Sequence, residues 1–106
     1  MIVVTSETVA NHRIVKTLGL ARGNTVRARH VGRDIMAGLR NIVGGEIHEY
    51  TKLMAESREQ TIDRMIAEAS RMGANAIVTT RFTTSVIVGG AAELLAVGTA
   101  VVIEPE

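Results

Sequence analysis

Apolar positions along this chain follow two different periods, and the changes between them mark its elements. Met1-Ile-Val-Val-Thr5 is a short β-branched run and reads as a strand. Ser6-Glu7-Thr8 opens a polar turn that continues to His12. Arg13 to Arg29 carries Ile14, Val15, Leu18, Leu20, Val26 and Ala28, interrupted by Gly19 and Gly23. That pattern predicts one long bent strand, or two joined at Gly23-Asn24, with glycine required at the bend for steric reasons. From Asp34 the spacing lengthens to three and four residues, through Ile35, Met36, Leu39, Ile42 and Val43, which predicts a helix ended by Gly44-Gly45. The strongest pattern runs from Glu46 to Met72. Ile47, Tyr50, Met54, Thr61, Ile62, Met65, Ala69 and Met72 share a helical stripe, with Glu46, Glu49, Glu56, Glu59 and Glu68 largely off it. Gly73 is placed to cap this helix and Asn75 to turn the chain.

Beyond it, Ala76 to Val88 reads as a strand, with Val78 and Phe82 on one face and Ile77 and Thr79 on the other. Leu94 to Glu104 reads as the last strand, stopped by Pro105. The predicted fold is one α+β domain over residues 1–106: an antiparallel sheet packed on one long helix, in the order β-β-α-α-β-β.

Val86 to Ile103 is long enough to span a bilayer and carries only Glu93 and Thr99 as polar side chains. A carboxylate near the midpoint of a span costs about 3 kcal/mol. Two strands joined through Gly89-Gly90 account for the same residues without that cost, so no membrane partner is expected.

Composition sharpens this picture in two ways. Hydrophobic residues are 46% of the 106, yet Phe82 and Tyr50 are the only aromatics and tryptophan is absent, so the core must use small and β-branched side chains. A mean hydropathy of +0.21 is high for so small a domain and calls for either an unusually well-filled interior or burial against further copies of the chain, and the second is the expectation. Cysteine is absent, which excludes disulfides and thiolate metal sites and fits a reducing cytoplasm. The start has neither the basic segment nor the long apolar segment of a secretory signal.

Twelve basic residues against eleven acidic ones leave a net charge of +1, which excludes a bulk polyanion binder. The distribution is uneven, because Arg13, Lys16, Arg22, Arg27, Arg29, Arg33 and Arg40 face only Asp34 before Glu46. Complementary halves suit self-association, arginines of one copy meeting helix carboxylates of the next. An anion site at Arg27, Arg29 or Arg33 is the second reading. Nucleic acid ranks last, because aromatics that would stack bases are missing. Gly19-Leu-Ala-Arg-Gly-Asn-Thr25 lacks the lysine and following helix of a phosphate loop.

For metal chemistry the candidates are His30, Glu46, His48 and Glu49, an imidazole and carboxylate set suited to a divalent ion such as zinc. On a helix His48 points about 100° from Glu49 and about 200° from Glu46, so one chain cannot close all three around one ion; His30 or a second copy must contribute. The alternative is a polar cap favoured by the helix dipole. Met36, Met54, Met65 and Met72 read as core filler rather than thioether ligands. No nucleophile, base and acid stand in a catalytic arrangement, so the chain reads as a binding or structural module rather than an enzyme.

Four blocks carry a family likeness: Leu18-Gly-Leu-Ala-Arg-Gly-Asn-Thr-Val-Arg-Ala-Arg-His30, Gly44-Gly-Glu-Ile-His-Glu-Tyr50, Gly73-Ala-Asn-Ala-Ile-Val78 and Gly98-Thr-Ala-Val101. Together they resemble the YbjQ-like family of small bacterial and archaeal proteins, over nearly the whole chain. The loop Val9-Ala-Asn-His12 departs from the Pro-Gly-aromatic turn usual in that family. The resemblance implies a fold similar to the dodecin subunit, a ring of five copies, and a heavy-metal-binding role.

Overall fold

The computed structural model describes residues 1–27, 48–87 and 91–106. Its elements are β1 (Ile2–Val3), β2 (His12–Arg27), α1 (His48–Arg71), β3 (Ala76–Ile87) and β4 (Ala91–Pro105). The helix expected over Asp34–Val43 and the Gly89-Gly90 joint lie outside the described residues. The four strands form one sheet in the order β1-β3-β4-β2. The stretch weighed above as a membrane span is the end of β3 and most of β4. Among the described residues no helix is long and apolar enough to cross a membrane.

The sheet is mixed rather than antiparallel throughout. β4 runs antiparallel to both β2 and β3, but β1 lies parallel to β3, with Ile2 opposite Ala76 and Val3 opposite Ile77. β1 returns to β3 only after the chain has passed through β2 and α1, and a crossover of that length permits a parallel pair.

The expected faces of β3 also change, and a single inserted residue is the reason. Val78 pairs with Thr99 and Arg81 with Val97, so Thr79 and Thr80 together oppose Gly98 in a β-bulge. Thr79 sits there at φ 54°, a left-handed conformation unusual for a β-branched residue. Past the bulge the alternation reverses, which puts Phe82, opposite Ala96, on the face of Ile77 rather than that of Val78. Gly98 is required opposite the bulge, since a Cβ there would lie 2.5 Å from Cγ2 of Ile77.

α1 packs across β2 and β4 and seals the main core of Ala21, Met65, Ala69, Ile77, Ala96 and Ala100. Small side chains bring helix and sheet close together. A Cβ on Gly23 would overlap the backbone of Met65 and approach the Thr61 carbonyl oxygen to 2.5 Å. The predicted stripe holds at Thr61, Met65 and Ala69, which are fully buried, with Met54, Ile62 and Met72 half-buried. Ser57, outside that stripe, is fully buried too. Its carbonyl accepts from Thr61 Oγ1 at 2.7 Å, and the Thr25 and Thr61 hydroxyls meet at 2.9 Å between β2 and α1.

α1 ends in a Schellman turn. The Ala74 amide donates to the Ala69 carbonyl and the Gly73 amide to Ser70, with Gly73 at φ 90°. Asn75 follows, its carboxamide donating to the Ile103 carbonyl at 2.9 Å and accepting from the Ile103 amide at 2.7 Å. A second, smaller core of Ala76, Val78, Val101 and Ile103 lies on the opposite face, covered by Val4 and Val9 from the segment between β1 and β2.

Candidate functional site

The packing fixes the direction of α1 against β2. Gly19 lies beside Met72, Gly23 beneath Thr61 and Met65, and Thr25 against Ser57 and Thr61. The helix therefore runs opposite to β2, and its first turn lies towards the end of the molecule where β2 stops. His48 and Glu49 open that first turn, while Arg27 closes β2 opposite Ala92 of β4. One end of the fold thus receives the backbone positions of Arg27, His48 and Glu49. Arg29, His30, Arg33 and Glu46 lie outside the described residues.

The first turn cannot close a metal site alone, because neighbouring helical residues diverge by about 100°. Among the described residues, no three His, Cys, Asp or Glu side chains come together as a metal-holding group. The donor chemistry fits a borderline divalent ion: imidazole nitrogen and carboxylate oxygen, with no thiolate in the chain. His12, the remaining histidine, starts β2 with Nδ1 2.8 Å from the Ala10 carbonyl oxygen, far along the strand from this end.

One polar cluster was not anticipated from the sequence. On the sheet face away from α1, Glu93 joins three strands, accepting from Asn24 Nδ2 of β2 at 3.2 Å and from Ser85 Oγ of β3 at 3.5 Å. Leu20, Arg22, Leu95 and Val97 border it in a shallow depression that Glu68 of α1 also reaches. The signal available in the sequence was that Glu93 is the only charge in its apolar stretch. Arg22 continues an exposed basic series along β2 from Arg13 and Lys16. Arg13 is paired with Glu104 of β4 at 3.3 Å.

A family model described as "Putative heavy-metal-binding" matches residues 1–104. The UPF0145 protein of Methanosarcina acetivorans is 55% identical over 101 residues, covering 95% of each chain. That of Archaeoglobus fulgidus is 56% identical over 101 residues, covering 95% of this chain and 94% of the relative. A Pyrococcus abyssi relative reaches 57% over 106 residues, covering all of this chain and 93% of its own. Among solved structures, a Pediococcus pentosaceus protein of unknown function from the DUF74 family matches with a TM-score of 0.64 and 12% identity, over 98% of both chains. At that identity the likeness is one of fold alone.

Proposed function

The chain belongs to the YbjQ-like family of UPF0145 proteins, and from that premise we propose that it is a cytoplasmic homo-oligomer, a dodecin-like ring of five copies, that binds a divalent metal ion such as zinc. The ligands are His48 and Glu49 on the first turn of α1, with His30 and Glu46. The observation that carries this reading is the shared end of the fold. The helix start brings an imidazole and a carboxylate position there, and their divergence asks for ligands from elsewhere in the chain or from a second copy. Zinc held by such a set is a Lewis acid or a structural tie between copies.

Self-association is supported by shape. The radius of gyration is 17.2 Å and the extents are 55 × 27 × 16 Å, where a compact chain of this length has a radius near 13 Å. Long strands account for the elongation, since the sixteen residues of β2 alone span about 50 Å.

Isothermal titration with zinc, nickel and copper tests the metal. Heat above buffer that is lost in a His30→Ala/His48→Ala double variant is expected. No heat overturns metal binding, and unchanged heat in the double variant overturns the choice of ligands. Sedimentation at micromolar concentration tests the assembly, and an 11.3 kDa species overturns it.

A second reading rests on the basic series of β2, which runs from Arg13 through Lys16 and Arg22 to Arg27 at the same end. With Arg29 and Arg33 it would hold a small anionic or cofactor-like ligand between copies. A thermal shift with inorganic phosphate or nucleotides, lost in Arg27→Ala/Arg29→Ala, is its expected result.

A further inference from the structure

Glu93 stands half-buried in β4 on the sheet face away from α1, in a stretch where it is the only charge. Two neutral donors hold it, Asn24 Nδ2 from one neighbouring strand and Ser85 Oγ from the other. Among the described residues the only ion pair is that of Arg13 with Glu104, so no cation stands against Glu93. A half-buried carboxylate is costly without a cation, and two neutral donors fix its direction without supplying one.

Register places Arg22 on the same face. Arg22 is opposite Val97, Asn24 opposite Leu95 and Val26 opposite Glu93. Glu93 reaches back to the Asn24 amide, which leaves its carboxylate one two-residue step, about 7 Å, from the level of Arg22. That gap is too wide for an ion pair. Other arginines nearby are engaged: Arg81 Nη1 donates to the Thr5 and Thr80 carbonyls at 2.8 Å each, and Arg64 Nη1 to the Asn24 carbonyl at 2.6 Å. Arg22 is exposed and makes no such bond among the described residues. Leu95 and Val97, both half-buried, form an apolar floor between the two charges, and Leu20 stands at its rim. The depression so lined holds about 470 Å³, within the range of small-molecule clefts.

We propose that this depression binds a small zwitterion with an apolar side chain, an α-amino acid of the leucine kind. Arg22 holds its carboxylate, Glu93 holds its ammonium group, and the side chain lies on Leu95 and Val97. Charge selects this class. A bare anion at Arg22 would meet Glu93 and, at the rim, Glu68 of α1; a bare cation at Glu93 would meet Arg22. A zwitterion answers both. Length selects it too, since two charge-assisted hydrogen bonds of about 2.8 Å, joined through one α-carbon, fill a gap of about 7 Å. A longer spacer between the charges overfills it. Guanidinium suits the carboxylate end because its paired N–H groups meet both oxygens. Asn24 and Ser85 act as positioning residues, aiming Glu93 before the ligand arrives. The site shares no residue with the metal set proposed above, so the two stand or fall separately.

Ligand-observed NMR titration of the unaltered protein measures dissociation constants for leucine and for its two halves, isocaproate, which lacks the amine, and isoamylamine, which lacks the carboxylate. Leucine is expected to bind about tenfold more tightly than either, the weight of one hydrogen-bonded charge. Glycine, with both charges and no side chain, is expected to bind more weakly than leucine as well. Substitutions then locate the two ends. In Glu93→Gln leucine is expected to fall to the level of isocaproate, and in Arg22→Gln to that of isoamylamine. Lys16→Gln removes an exposed cation of the same strand outside the depression and is expected to change nothing. Arg22 is exposed, so its variant keeps the fold and decides the matter if Glu93→Gln does not. No saturable binding of leucine, or either half bound as tightly as the whole, overturns the proposal. Leucine binding unchanged in Arg22→Gln overturns this site, and an equal loss in Lys16→Gln overturns it too, as a general effect of charge.

Discussion

Gly23 lies directly beneath the Met65 backbone, closer than any side chain would permit. The contact sets the distance between α1 and the sheet, and it explains why the core can be filled by alanine and threonine. Gly23→Ala forces the helix away from β2, because Thr61 O and the Arg64 carbonyl carbon, at 2.5 and 2.9 Å, are backbone atoms that cannot rotate aside. A loss of about 3 kcal/mol is expected, the upper part of the range for overpacking. Urea unfolding monitored by circular dichroism measures it.

The buried hydroxyls between β2 and α1 make an unequal pair. Removing Thr25 leaves Thr61 Oγ1 its 2.7 Å bond to the Ser57 carbonyl, whereas removing Thr61 leaves Thr25 only a 3.4 Å contact with that oxygen. Thr61→Val is therefore expected to cost about 2 kcal/mol and Thr25→Val about 1 kcal/mol. The double variant should cost less than the sum, because it strands no donor. Denaturant melts of the three variants check the order.

Asn75 holds both backbone groups of Ile103 through one carboxamide. Asn75→Ala leaves both without that partner at the exit of the helix. A loss of about 2 kcal/mol is expected, with faster hydrogen exchange at the Ile103 amide as its local signature.

Thr79 carries backbone strain that glycine would relieve. Thr79→Gly is expected to raise the thermal midpoint or leave it unchanged. The same exchange at Thr83, on a regular and exposed part of β3, is expected to lower stability by about 1 kcal/mol. Equal losses at both sites would contradict the strain.

Much of the fold was legible because each element declares itself locally. The apolar spacing predicts a helix over Glu46–Met72 and the structure shows His48–Arg71, with Gly73 turning left-handed where a glycine follows the last periodic residue. Both glycines of β2 have their steric reason, Gly19 as a bend at φ 125° and Gly23 as a close approach. The bulge was not legible, because Thr79-Thr80 reads as ordinary strand and nothing in its letters announces an extra residue. That one insertion carries Phe82 to the other face. The parallel β1 pair was hidden for a related reason: pairing between segments more than seventy residues apart leaves no mark on local periodicity. The metal candidates were chosen by chemistry and spacing. The fold assigns backbone places to two of them, His48 and Glu49, and of the anion candidates it places Arg27 at the same end.

β4 lies between β2 and β3 yet follows both in the chain. During synthesis the strand that unites the sheet emerges after both, so β2 waits for β4, its sheet neighbour among the described residues, while α1 and β3 emerge. Folding is therefore paced by late, long-range pairing. In that interval β2 presents a strand edge still waiting for β4, the kind of surface through which incompletely folded chains associate.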